Sequence, residues 1–438
     1  MKKKVLIITY YWPPSGGSGV QRWAYFAKYL EQFDIIPIVL TVDPKKASYP
    51  TLDNDLLKEV EHVEVHKTST FEPLQIYSLL TTGKKKDGIP FGSIETKSKS
   101  PVKRLGRFVR SNLMIPDARI YWNSYAYKAA KEIIKKHNIK TVITTSPPHS
   151  TQLIGLNLKK KQKINWVADL RDPWTTIAYE KYLNRSKKST FKNENYEKEV
   201  VTKCDQLIVV SEGMKEEFSE KYNTSNIAVI PNGFDNEGLP KQNSPTPTEK
   251  FKLCYVGNYK ISQNTTSLWK ALKELSDEIE GFSENFKLSI TGNLNETIKN
   301  SIADHEIGHL LEENPFVKHR EAVEIMFKAN ALLLPIPQAT NNKLILTGKI
   351  FEYLASQNPI LAIGPPDGNA SQILQECERN IMYEYEDIQG IKAFLKAQFN
   401  YWKENNQTSK NLNDKNYLKY SRVELTKKLA NKLDSFLD

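Results

Sequence analysis

Cysteine is scarce in this chain: three occur in 438 residues, Cys204, Cys254 and Cys377, an odd number and never in paired spacing. That argues against a disulfide framework or a cysteine zinc site and points to a reducing compartment, the cytoplasm. Long hydrophobic runs are also missing, since none approaches the ~20 apolar residues that cross a bilayer. The opening Met1-Lys2-Lys3-Lys4 and Val5-Leu6-Ile7-Ile8 begins like a leader peptide. Its apolar stretch is stopped by Thr9-Tyr10-Tyr11-Trp12-Pro13-Pro14 with no small-residue cleavage pattern, so these residues are expected to belong to the fold. Charge is abundant: 62 basic against 51 acidic side chains leave a net of +11, which brings a polyanionic partner into consideration. No nucleic-acid reading module and no aromatic-interleaved basic sheet is recognisable, so nucleic acid is not the expected partner.

Hydrophobic residues make up 39% of the chain and aromatics 10%, a globular composition whose length suits two or three domains of ~150 residues. Short apolar runs at Val5–Ile8, Ile35–Val42, Val63–Val65, Val142–Thr144, Trp166–Ala168 and Leu207–Val210 are each followed by a helix-like stretch. Unbroken apolar runs suit strands covered on both faces, and their alternation with helices predicts a doubly wound parallel sheet. Pro240, Pro245 and Pro247 mark a linker at 236–250, after which the pattern restarts at Phe251–Val256, Leu288–Thr291, Ala331–Pro335, Pro359–Ile363 and Ile381–Tyr385. Leu425, Leu429, Leu433 and Leu437 recur every fourth residue and predict a final amphipathic helix over 422–437.

Three stretches carry candidate chemistry. Ser15-Gly16-Gly17-Ser18-Gly19 follows the first strand and opens a helix, where glycines admit a ligand to the backbone and free N–H groups face a phosphate. A dinucleotide fingerprint wants a third glycine where Arg22 stands, and Asp43 is only a weak ribose acid; the alternative is a tight turn without a ligand. Asp169-Leu170-Arg171-Asp172-Pro173-Trp174 ends another strand: Asp172 is placed to orient or deprotonate a hydroxyl, Arg171 to hold an anion, and Trp174 to stack on a sugar. The alternative there is a buried Asp–Arg pair pinning the loop. His149, after the preceding strand, is placed to face the same cleft. In Thr347-Gly348-Lys349-Ile350-Phe351-Glu352 a helix start and an ammonium suit a diphosphate, and a carboxylate one turn later suits a ribose. His305-Glu306-Ile307-Gly308-His309 matches the zinc-protease pattern, but Gly308 weakens the helix that pattern needs and no third ligand follows, so no metal is expected there.

Tyr11-Trp12-Pro13-Pro14-Ser15-Gly16-Gly17-Ser18-Gly19, Asp169 to Trp174, Ile230-Pro231-Asn232-Gly233-Phe234-Asp235, Tyr255-Val256-Gly257, His319-Arg320-Glu321-Ala322 and Thr347 to Ala355 together resemble family 4 glycosyltransferases, in order along nearly the whole chain. The resemblance implies an α/β fold of GT-B architecture: a Rossmann-like acceptor domain at 1–235, completed by a helix at 418–438, and a Rossmann-like nucleotide-sugar domain at 251–417. It implies that Gly257, Thr347, Gly348 and Lys349 meet the donor diphosphate, that Glu352 takes the ribose, and that Gly16, Gly17 and Gly19 approach the sugar–phosphate. Asp172, with Arg171 and His149, becomes the catalytic expectation. Two departures stand out. Leu344 occupies the place of an acid common in relatives, leaving Asn341 or Asn342 to serve the sugar. Asn258-Tyr259-Lys260 replaces the usual basic residues after the second glycine turn, leaving Lys260 and Lys349 as cations. Retention at the anomeric carbon from a UDP- or GDP-sugar is implied, with no metal and no resident cofactor. A nucleotide-sugar epimerase of the same fold is the alternative.

The charge is uneven: Lys84 to Arg110 alone carries a net of +7, with Val102, Leu105, Phe108, Val109 and Leu113 on one helical face. Such a basic amphipathic segment, 84–113, suits an anionic membrane surface and, with it, a glycan or lipid-linked acceptor.

Overall fold

The structure, a computed structural model, describes residues 2–49, 51–73, 101–177, 180–240, 247–379, 381–410 and 415–437. It divides into two compact units, Met1–Pro231 with Arg422–Asp438, and Asn232–Ser421.

The first unit is built on a parallel sheet of β1 (Lys3–Ile8), β2 (Ile35–Val42), β3 (Glu64–Thr68), β4 (Thr141–Ser146), β5 (Asn165–Leu170), β6 (Gln206–Val209) and β7 (Ile227–Val229), in the order β3-β2-β1-β4-β5-β6-β7. Its apolar runs feed two cores by simple alternation. Val5 and Ile7 join one cluster while Leu6 and Ile8 join the other, and Ile143 and Val142 divide in the same way. One face is covered by the helices Asn123–His137, Gln152–Lys161 and Lys187–Lys203, through Ala126, Ile133, Ile154 and Val200. The other is covered by Ser18–Leu30 and by the last helix, Arg422–Leu433, whose Leu425, Leu429 and Leu433 lie in the same cluster as Val20, Trp23 and Ala27. Each leucine so buried contributes about 1.5–3 kcal/mol. The expected helix ends four residues early, and Asp434–Phe436 continues it as a tighter turn.

The second unit repeats the plan with β8 (Phe251–Val256), β9 (Phe286–Thr291), β10 (Leu311–Asn314), β11 (Ala331–Pro335), β12 (Ile360–Ile363) and β13 (Met382–Tyr383), ordered β10-β9-β8-β11-β12-β13 and parallel throughout. Phe251, Leu253 and Tyr255 face one core; Cys254 and Val256 face the other. The two sheets make the chain an α/β protein, as the run pattern implies. In each, strand order reverses at a switch point, between β1 and β4 and between β8 and β11, and such points open a crevice at the carboxyl ends of the strands. The glycine turns of the sequence fall at these ends.

Candidate functional site

At the first switch point, Asp169 and Arg171 are alternate residues at the end of β5 and emerge on the same side, toward the helix Ser18–Leu30. On that helix Gly19, Arg22 and Trp23 are three and four residues apart and share the facing stripe. Asp169 is fully buried and saturated: it accepts from Arg22 Nη2 at 2.8 Å, Trp23 Nε1 at 2.7 Å and Thr145 Oγ1 at 2.8 Å. Arg22, also fully buried, donates besides to the carbonyl of Pro231. The residue standing where a dinucleotide fingerprint has glycine is therefore the cation that ties β5 to the first helix. Of the three charged residues in that motif, Asp169 is the buried pinning acid, and its partner is Arg22 on the helix, outside the motif.

Arg171 lies one turn nearer the N-terminus of the same helix, against Gly19, where a Cβ would collide with its guanidinium. Its Nη2 donates to Asp172 Oδ2 at 2.9 Å, while Nη1 is buried and makes no hydrogen bond among the described residues. The three glycines consequently differ in purpose. Gly16 makes room for Thr51 and Asp53, and Gly19 makes room for Arg171. Gly17 adopts φ 104 and has nothing within 4 Å of where a Cβ would stand. The helix start, which has no side-chain cap, and the guanidinium beside it form a cationic corner suited to an anion. Asp43 plays no part in it: its Oδ1 accepts from the backbone of Lys45 and closes a local turn.

His149 sits in the turn after β4, held by Asp117, which takes both the N–H and the hydroxyl of Ser150 at 2.8 Å, and by Asn123 on the Ser150 carbonyl. Its ring stacks on Trp174 with centroids 4.8 Å apart and planes 9° from parallel. Trp174 is buried and donates Nε1 to Asn193, so it is a support for the imidazole and is not free to stack on a sugar, contrary to the sequence expectation. Both His149 ring nitrogens are buried and make no hydrogen bond among the described residues. Burial pulls its pKa below the usual histidine value, against Asp117, Asp172 and Glu197, which raise it; Arg171 adds to the lowering. A neutral imidazole offers one donor and one acceptor.

At the second switch point Gly257 follows β8 and Gly292 follows β9, both at φ 121. A Cβ on Gly292 would stand 2.6 Å from the Gly257 carbonyl, and one on Gly257 would stand 2.9 Å from Lys349 Cε, so both positions demand glycine. Lys349 opens the helix Lys349–Ser356, lies over the Tyr255 ring at 4.3 Å from its centroid and donates to Tyr255 Oη at 2.8 Å. Burial lowers its pKa to about 8; Glu352 opposes this and Lys260 reinforces it. Lys260, itself exposed, thus acts electrostatically on the same corner. Thr347 Oγ1 is buried without a hydrogen bond among the described residues, and Gly348 faces open space. One turn on, Glu352 Oε1 lies 3.4 Å from His319 Nε2. The fold therefore brings Gly257, Lys260, Thr347, Gly348, Lys349 and Glu352 to one corner. Tyr255, Gly292 and His319 belong there too. Val256-Gly257-Asn258 and Thr291-Gly292-Asn293, a strand end followed by Gly-Asn twice, was the available signal for Gly292.

Nearby, Asn342 donates its side-chain amide to Tyr385, and Asn341 takes a left-handed φ of 62. The histidines of the zinc-like pattern do not share a helix face. Glu306 has φ 59, His305 contacts the Ser301 carbonyl, and His309 contacts Ser283.

Comparison with known proteins agrees with the two-sheet α/β fold. Residues 90–237 match the model of Glycosyltransferase Family 4. That stretch is similar to family 4 glycosyltransferases. Solved structures share the architecture over the whole length. A glycosyltransferase from Rickettsia africae ESF-5 is 15% identical at a TM-score of 0.60, covering 100% of this chain and 99% of its own. S. aureus TarM, as a variant in complex with Fondaparinux, alpha-GlcNAc-glycerol and UDP, is 10% identical at 0.52, covering 100% and 97%. A Listeria monocytogenes protein assigned as a UDP-N-acetylglucosamine 2-epimerase is 11% identical at 0.55, covering 99% and 96%. At these identities the likeness is one of fold, GT-B. No curated protein matches the sequence. The family match supports a transferase of the glycosyltransferase class, and the two-sheet architecture is consistent with it.

Proposed function

We propose that this glycosyltransferase moves a sugar, with retention, from a nucleoside-diphosphate sugar to a glycan or lipid-linked acceptor. The observation that carries the reading is the buried Lys349 at a helix start, against Gly257, whose φ of 121 and close approach to the lysine favour glycine. Lys349 and the backbone N–H groups at Thr347–Lys349 would take the diphosphate, and Glu352 the ribose hydroxyls, with Lys260 adding positive potential. In transfer the bond from the anomeric carbon to the diphosphate oxygen breaks and a bond to the acceptor oxygen forms on the same face. The acceptor proton leaves with the departing diphosphate. Charge develops on that diphosphate, where a fixed ammonium and helix N-terminus stabilise it, so the residues present supply what a metal would otherwise supply. In the first unit, His149 is assigned to a sugar hydroxyl, Arg171 with Gly17 to an anionic group, and Asp172 to orienting the acceptor.

Calorimetry with UDP, GDP and ADP tests the donor site. One diphosphate is expected to bind with an affinity that is flat below about pH 8, where Lys349 is charged. Above that pH the free protein must take up a proton to bind, and the dissociation constant should rise by up to ~10-fold per pH unit. Failure of all three to bind would remove the donor assignment.

The acceptor side includes the helix Pro101–Asn112, the described part of the basic segment; residues 84–100 lie outside the described residues. Its Phe108 and the following Leu113 are 57% and 66% exposed, beside Arg110. An exposed apolar pair flanked by basic residues suits an anionic bilayer holding a lipid-linked acceptor. The protein is expected to co-sediment with phosphatidylglycerol vesicles at low salt, and to be released at high salt or by Phe108→Asp with Leu113→Asp. Absence of binding at low salt ends the membrane part of the proposal.

A further inference from the structure

Away from both switch points, three metal-binding side chains meet in the first unit. Glu64 and His66 are alternate residues of β3 and share one face of the sheet. That face is covered by the helix Asn123–His137, which packs on β1, β2 and β3 and ends in His137, beyond which Asn138 reverses the chain at φ 51. His66 Nε2 lies 2.8 Å and His137 Nε2 3.4 Å from the same oxygen, Glu64 Oε1. The two imidazoles are 6.0 Å apart with planes at 76°, so they approach from different directions. All three ligand atoms lie within 4.8 Å of one another, and His137 Nε2 is buried without a hydrogen bond among the described residues.

Two imidazole nitrogens and a carboxylate oxygen around a tetrahedral ion, at bond lengths of ~2.1 Å, stand about 3.4 Å apart. The observed spacing needs only a side-chain adjustment to reach that. The donor set selects the metal. Hard cations such as Mg²⁺ and Ca²⁺ require several oxygens, and one carboxylate beside Lys4 and Lys136, whose charges act on His137, does not provide them. Imidazole suits zinc and its neighbours. We propose that Glu64, His66 and His137 form a three-ligand site for a divalent transition ion of the zinc class, with a fourth position open to water, which clamps the edge strand β3 to the helix Asn123–His137. Glu64 is the first residue of β3 and His137 precedes β4, whereas His149 and Arg171 follow the carboxyl ends of β4 and β5, so the ion belongs to a different end of the sheet from the transfer chemistry.

The test uses the full-length chain without a histidine tag, stripped with chelator. Calorimetric titration with Zn²⁺ is expected to show one site per chain, with no comparable site for Mg²⁺, and Co²⁺ is expected to give visible d–d absorption of four- or five-coordinate character. His66→Ala and His137→Ala should each weaken Zn²⁺ binding by more than the ~10–100-fold that loss of a merely supporting hydrogen bond costs. Should either variant fail to fold, histidine carbethoxylation mapped by mass spectrometry on the unsubstituted protein provides the second measurement: Zn²⁺ should protect His66 and His137 and leave His319 reactive. No one-to-one site, equal Mg²⁺ binding, or Zn²⁺ binding indifferent to both substitutions would overturn the proposal, as would unprotected His66 and His137.

Discussion

Lys349→Ala is expected to lower sugar transfer and donor hydrolysis by ~10²–10³-fold, the usual cost of removing one preorganised donor from a developing oxyanion. The ammonium is unusual in being buried over Tyr255 with its pKa drawn down to about 8, so the free protein holds it at a cost that a bound diphosphate would relieve. The sign of the stability effect follows from that. A lysine whose folded pKa lies below its unfolded value destabilises the fold at pH values below about 8, and the penalty lifts as pH rises from there toward the ordinary lysine range. Truncation at pH 7 should therefore leave the melting midpoint unchanged or raised while activity collapses, which separates a lost donor from a lost fold. Glu352→Ala should act on the same nucleotide, with a loss of ~10–100-fold from its charged hydrogen bonds. Steady-state kinetics beside thermal unfolding checks both; normal turnover in both variants would remove the second-unit site.

Arg22→Ala is expected to destabilise the first unit by ~3–5 kcal/mol, because it leaves the Asp169 carboxylate buried with its cation gone. Arg22 and Asp169 are both fully inaccessible and 2.8 Å apart, and Trp23 and Thr145 supply hydrogen bonds but no charge. Replacing both partners with apolar residues, Arg22→Met with Asp169→Leu, should cost much less than the sum of the single changes, since no charge is then stranded. Urea unfolding of the four proteins forms the double-mutant cycle. Additive losses, or a single-variant loss below 1 kcal/mol, would contradict the assignment.

How far the sequence reached can be judged residue by residue. The central strands were legible because they are apolar on both faces, and the two sheets follow from them. The edge strands Ile227–Val229 and Leu311–Asn314 were not: one, Ile-Ala-Val, is only three residues long, and the other, Leu-Glu-Glu-Asn, is half solvated and shows no apolar run. Lys349 and Glu352 were legible because a helix places residues three apart on one side, and that spacing survives in any tertiary setting. Tyr255 and His319 stood within the family-like stretches, but their contacts to Lys349 and Glu352 were not legible, since these depend on how separate βα segments pack. The loop Asp169–Trp174 shows the ambiguity of polar residues at strand ends. One acid is a structural ion pair, one arginine faces a helix start, and the tryptophan is a stacking support for His149. Composition does not distinguish these roles, but the alternation that sends Asp169 and Arg171 to the same helix does. Glu64 and His66 lie 71 and more residues from His137, too far apart in sequence for any spacing pattern to join them.

The most direct test of transfer supplies the purified protein with the nucleotide-sugar whose diphosphate binds best, together with a glycan or lipid-linked acceptor, and follows nucleotide release and the anomeric configuration of the product by NMR. The expected result is acceptor-dependent release of nucleoside diphosphate and a product that keeps the donor's anomeric configuration, both suppressed in Lys349→Ala. Conversion of the donor to an epimer without acceptor, or a product of inverted configuration, would contradict it.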